Sequence, residues 1–145
     1  MTKKIIFYIS VIIVIGWMAL IFYLSSQPAA ESNELSNQVT EVIVETIEKA
    51  APKIASSWDL KELNHFIRKN AHFFSYFVLG VLVMNALYQK ENLKVVLSLM
   101  ISILYSISDE IHQTFVPGRG GNIIDVVIDS TGSLIGIGLY LKVRK

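Results

Sequence analysis

Residues Ile5 to Leu24 form a strongly apolar run without a single charge, and this run constrains the chain more than any other feature. A helix of about 20 residues is needed to cross a ~30 Å hydrocarbon core, so the segment has the length of one membrane crossing. A secretory leader is the rival reading, because Lys3 and Lys4 precede the run and the small-residue stretch Ser25 to Ala30 follows it. Leader cores usually occupy only ~7–15 residues, and further apolar runs follow, so an uncleaved anchor is expected. Composition agrees: 52% of residues are apolar and 17% charged, with a mean hydropathy of +0.50, which fits a small polytopic membrane protein better than a soluble domain. Cysteine is absent, which excludes disulfides, thiolate metal sites and cysteine nucleophiles.

Four spans are predicted, at about 5–24, 71–88, 93–111 and 123–141, giving an all-α single domain over residues 1–145. The second and third are joined by the polar turn QKEN, short enough to force an antiparallel hairpin. The third and fourth are joined by VPGRGGN, where Pro117-Gly118 and the paired glycines mark an irregular loop. Lys3 with Lys4, Lys90 with Lys94, and Lys142 with Arg144 and Lys145 flank the spans. The positive-inside rule assigns those segments to the cytoplasm. The expected protein is therefore a multi-pass protein of the cytoplasmic membrane, with both termini inside and its longest connection, from residue 25 to about 70, outside.

That connection is patterned. Leu35, Val39, Val42, Ile43 and Ala50 recur at helical spacing while Glu34, Glu41, Glu45 and Glu48 occupy another face, which predicts an amphipathic helix over 34–50 lying on the bundle or the lipid surface. Its acidic face suits packing on protein rather than on anionic lipid. A second external helix is predicted to start at Asp59, where D-L-K-E has the spacing of a capping box, and to run into the second span. On that helix His65, Arg68, Lys69, His72 and Tyr76 share one face.

A charge facing hydrocarbon costs at least ~2.5–3.5 kcal/mol, so polar residues inside the spans demand a reason. In the third span Ser98, Ser102, Tyr105, Asp109, His112 and Gln113 share a face, which should point into the bundle or a wet cavity, while Glu110 points about 100° away and is expected to reach the headgroups. In the fourth, Asp125 and Asp129 lie on one face with Gly132 and Gly136, and small residues at that spacing admit a neighbouring helix backbone. Asn122 is expected to cap this helix, and Asp125 suits its positive N-terminus. Asp129, about 9 Å further along at ~1.5 Å per residue, is too deep for capping and needs a partner.

Topology brings Arg68, Lys69, His72, Asp109, His112, Arg119, Asp125 and Asp129 to one depth near the outer surface. A structural ion-pair network, with Arg68 and Arg119 neutralising the aspartates, is one expectation. Three chemical readings compete with it. Two histidines with two or three carboxylates could hold a divalent cation, although H-x-E-x-x-H spacing is absent. A histidine oriented by an aspartate could act as a general base in hydrolysis or group transfer at a lipid headgroup. Arg68, Lys69 and Arg119, with the glycine-rich backbone after Pro117, could cradle a phosphate or carboxylate.

The motifs also carry a resemblance. An aromatic first span ending in FYLSSQP, then RKNAHFFSYFVLG, then SDEIHQTFVPGRGGNIIDVVIDSTGSLIG resemble, in order, the VanZ-like membrane proteins over most of residues 17–138. The shared elements are H-x-x-x-Y, D-E-x-H-Q, P-G-R and D-x-x-x-D, and residues 30–57 carry no motif. The resemblance implies an integral protein of the bacterial envelope, some of whose relatives lower susceptibility to teicoplanin-type lipoglycopeptides. Its polar pattern maps onto Arg68, Lys69, His72, Tyr76, Asp109, Glu110, His112, Gln113, Arg119, Asp125 and Asp129. The combined reading is a protein acting on a lipid headgroup or lipid-linked envelope precursor. His72, His112, Asp109 and Asp129 are its chemical groups; Arg68, Lys69, Tyr76, Gln113 and Arg119 bind the headgroup, with Glu110 and Asp125 behind them. The expected partners are membrane lipids, with no nucleic acid. A non-catalytic lipid- or antibiotic-binding protein and a proton-coupled transporter are the alternatives.

Overall fold

A computed structural model describes residues 2–50, 59–88 and 93–144, and their regular structure is all helix: α1 Thr2–Ser25, α2 Ala29–Ala50, α3 Leu60–Leu87, α4 Lys94–Gln113 and α5 Ile123–Val143. The QKEN turn and the side chains of Glu48 and Ala50 lie outside the described residues. α1, α3, α4 and α5 are each long and apolar enough to cross a membrane, which matches the four predicted spans. α3 has 28 residues, about 42 Å at ~1.5 Å per residue, and so exceeds a ~30 Å core. The external helix and the second span are thus one continuous helix. It starts where the capping spacing placed it, with the Asp59 carboxylate accepting from the Lys61 N–H at 2.8 Å.

α3 and α5 form the closest helix pair. Between apolar helices in lipid there is little hydrophobic drive, so close backbone approach and dispersion must supply the contact. Gly132 and Gly136 of α5 lie against the backbone carbonyls of Phe73 and Phe77, and Gly80 of α3 lies against Ser133; a methyl group at any of the three would collide with the opposing backbone. The Ser133 hydroxyl adds a bond to the Tyr76 carbonyl at 2.9 Å. The small-residue stripe therefore packs within one chain. α4 joins through the buried serines Ser98, Ser102 and Ser106. The first two return their hydroxyls to Lys94 and Ser98 carbonyls, so they carry no unpaired donor into the interface.

α1 packs mainly on α3. Ile21 joins Tyr76, Leu79 and Val83 in the apolar core, and the Trp17 indole donates to the Ser75 carbonyl at 2.9 Å. At one end of the bundle Asn85 of α3 meets Ser10 of α1 and Tyr140 of α5, and Lys94 and Arg144 lie over the Tyr88 ring. The C-terminal end of α1, the N-terminal half of α3, the C-terminus of α4 and the N-terminus of α5 converge at the other.

α2 corrects the placing of its acidic face, since Glu34, Glu41 and Glu45 are exposed and not packed on protein. Leu35, Val39 and Val42 are 67%, 47% and 64% exposed, in keeping with a helix at the lipid surface, whereas Ser36 and Thr40 are buried. Both hydroxyls bond carbonyls one turn back. Being small and already satisfied, they let α2 lie close to α3. Asn33 and Asn37 complete this polar seam by bonding Arg68 and Asn64.

Candidate functional site

Three buried carboxylates occupy the converging end, and each is anchored through one oxygen. Ser25, the last residue of α1, donates to Asp109 Oδ2 at 2.8 Å. Ser106, one turn before Asp109 and Glu110 on α4, donates to Asp129 Oδ2 of α5 at 2.8 Å. The backbone N–H of Asn122 donates to Glu110 Oε2 at 2.8 Å. The second oxygens are less well served: Asp109 Oδ1 and Asp129 Oδ1 are buried without a hydrogen-bond partner, and Glu110 Oε1 receives only Gln113, at 3.4 Å. His72 of α3, half-buried, brings Nδ1 to 3.7 Å from Asp129 Oδ1. One ligand atom each from His72, Glu110 and Asp129 lies within 4.8 Å of the others, so these three side chains are the ones able to hold a metal ion among the described residues.

The VPGRGGN loop closes over this cluster. Gly118 takes φ +74°, a conformation that glycine adopts at no steric cost, and the Pro117 carbonyl accepts from the Ala29 N–H at the start of α2. The turn thereby carries Arg119 back toward α1, where Nη2 donates to the Leu24 carbonyl at 3.2 Å. Asn122 caps α5 through Ile124 N, as the sequence predicts, while its own N–H holds Glu110. That second bond explains why Glu110 is buried rather than at the headgroups: the loop folds back and encloses the side of α4 that helical geometry alone leaves open.

A cavity of about 460 Å³ opens beside the cluster, between the end of α1, α2 and α3. Ile21, Leu24, Leu35, Val39 and Ile67 give it apolar walls; Arg68, Arg119, His72 and Tyr76 reach into it. Arg68 bonds Asn33 at 2.9 Å. Burial, and then the positive charge of Arg68, lower the pKa of Arg119 from its usual value. The expected neutralisation of the aspartates by Arg68 and Arg119 is not what the geometry shows. Among the described residues the carboxylates that meet a basic side chain are Asp125, paired with Lys69, and Asp129, which faces the His72 imidazole, and Glu31 at the cavity rim pairs with neither arginine.

The predicted site residues thus sort into four groups. His72, Glu110 and Asp129 converge, with Asp109 beside them through Gln113, whose amide donates to Asp109 and Glu110. Arg68, Arg119 and Tyr76 line the cavity. Lys69 and Asp125 pair with each other, away from the cavity lining. His112 stands outside the trio of His72, Glu110 and Asp129: its ring lies on Phe22 of α1 at 4.3 Å, and its Nε2 is buried without a hydrogen-bond partner. Ser25, Ser106 and Asn33 escaped the sequence reading. Ser106 alone left a trace, as the third serine at four-residue spacing after Ser98 and Ser102.

A family model described as VanZ/LLP1 matches residues 9–144, nearly the whole chain. No curated protein and no solved structure matches it. The match takes in the carboxylate cluster, the arginine turn and all four spans, and on that ground the chain belongs to the VanZ/LLP1 family.

Proposed function

We propose that this protein binds the anionic headgroup of a membrane lipid or lipid-linked envelope precursor in the cavity between α1, α2 and α3, and acts on it by hydrolysis or group transfer. One observation carries this reading: two guanidinium groups, unpaired by any carboxylate among the described residues, reach into a cavity with apolar walls. A lipid offers the matching parts, since a phosphate or carboxylate accepts the planar donors of arginine and an acyl or isoprenoid chain fits beside Ile21, Leu24, Leu35 and Val39. His72 is the member of the carboxylate cluster that reaches the cavity, and the cluster acts on the headgroup through it. The basic end of the bundle, with Lys94, Lys142 and Arg144, lies in the cytoplasm on this reading, with both termini there and the cavity opening outward.

The test is lipid identification by mass spectrometry on protein purified in mild detergent. The native chain should retain an anionic lipid, and the Arg68→Ala/Arg119→Ala double variant, folded by size-exclusion criteria, should lose it. An identical lipid complement in both proteins would overturn the reading. Lowered susceptibility to teicoplanin-type lipoglycopeptides would follow from an altered or shielded envelope lipid, and is read from a host expressing the native chain or His72→Ala.

A further inference from the structure

We propose that His72, Glu110 and Asp129 form a binding site for one divalent metal ion. The three side chains come from three different helices, α3, α4 and α5, and they meet with one donor atom each inside 4.8 Å. Metal bonds of ~2.0–2.2 Å in tetrahedral array put ligand atoms about 3.4 Å apart. His72 Nδ1 and Asp129 Oδ1 stand at 3.7 Å, close to that separation and too long for a hydrogen bond between them.

The independent observation is the state of Asp129. Its side chain is fully buried and its Oδ1 has no hydrogen-bond partner, although the other oxygen is held firmly by Ser106. An orphaned carboxylate oxygen inside a membrane bundle is expensive unless something binds it. Glu110 repeats the pattern, with Oε2 fixed by the Asn122 N–H and Oε1 nearly free. Metal sites are built this way: outer groups fix one atom of each ligand and aim the other. Charge points the same way. Among the described residues no lysine or arginine nitrogen lies within 4.0 Å of Asp109, Glu110 or Asp129, so a dense buried carboxylate cluster has no lysine or arginine against it, and its imidazole is free to serve as a neutral ligand.

One nitrogen and two carboxylate oxygens suit Zn²⁺ or Mn²⁺, and three protein ligands leave a coordination position open. Because His72 also lines the cavity, that position lies on the side from which a ligand in the cavity would approach. The site shares His72 with the preceding proposal but neither arginine, so metal titration and lipid retention test the two separately.

The test is calorimetric titration of the full-length, tag-free protein in detergent, stripped with chelator and then given Zn²⁺ or Mn²⁺ alone. One ion per chain should bind with about micromolar affinity or better. Asp129→Asn should abolish this binding, and Ser106→Ala should weaken it about tenfold by freeing Asp129 to rotate. Glu45→Gln, on the exposed face of α2, should leave it unchanged. Failure of the native chain to bind either ion stoichiometrically overturns the proposal whatever the variants do, as does undiminished binding by a folded Asp129→Asn protein.

Discussion

Replacing Gly132 or Gly136 with alanine should loosen the bundle where α5 touches α3, and open glycines elsewhere in the chain provide the internal control. A Cβ at either position would run into the carbonyl of Phe73 or Phe77. Backbone atoms cannot swing aside as a side-chain tip can, so α5 must shift bodily. Forcing an extra methyl group into a packed interface costs about 1–3 kcal/mol. The same substitution also gains roughly 1 kcal/mol of helix propensity, which partly masks the loss. Gly16 and Gly138 have nothing within 4 Å of a built Cβ, so Gly16→Ala and Gly138→Ala should show the propensity gain alone. Comparing the two pairs removes that gain, leaving the buried pair about 1–3 kcal/mol less stable than the open pair. Denaturant titration in mixed micelles, followed by circular dichroism, gives the four values. Because Asp129 lies one turn before Gly132 and Ser133 on the same face, Gly132→Ala should also disturb its approach to His72. Equal stability for all four variants would refute the close α3–α5 contact and the placement of Asp129 that depends on it.

Ser106→Ala removes the one donor to Asp129 Oδ2 and should lower stability by about 1–3 kcal/mol, the usual cost of leaving a buried polar group unsatisfied; thermal melting in detergent measures it. Lys69→Ala should shift that melt far less, because an ion pair about a quarter exposed on each side contributes about 0–1 kcal/mol. Asn122→Ala should cost about 1 kcal/mol through the lost cap on α5, while the backbone bond to Glu110 persists. Arg119→Lys should fold but retain less anionic lipid in mass spectrometry, since an ammonium cannot replace the guanidinium fork; full retention would show that charge alone suffices.

Much of this architecture was legible in the residues, and the parts that were not share a cause. A charge-free run such as Ile5 to Leu24 has one stable environment, so the spans could be read directly. Caps at Asp59 and Asn122 are local chemistry and were equally readable. Asp129 announced itself by being too deep for any local role. Glu110 was placed wrongly because helical angle measures direction on one helix, whereas its burial is decided by a loop twelve residues later whose Asn122 N–H reaches back to it. The helix α2 was legible but its seam was not, for a related reason: its apolar residues are conspicuous, whereas the seam is made by Ser36 and Thr40, whose value lies in small size and self-satisfied hydroxyls. The partners of Arg68 and Arg119 are an α2 asparagine and an α1 carbonyl, and no pattern within α3 or the PGR turn announces either.

α1 is the least buried of the four spans and rests chiefly on one neighbour, α3. It contributes Ile21 and Leu24 to the cavity wall, as α2 contributes Leu35 and Val39, while His72, Glu110 and Asp129 stand on the other three helices. The apolar wall supplied by α1 and α2 and the carboxylate cluster therefore stand on different helices, with Arg68 and Arg119 of the cavity between them. A change to Leu24, Leu35 or Val39 can thus reshape the wall without replacing His72, Glu110 or Asp129.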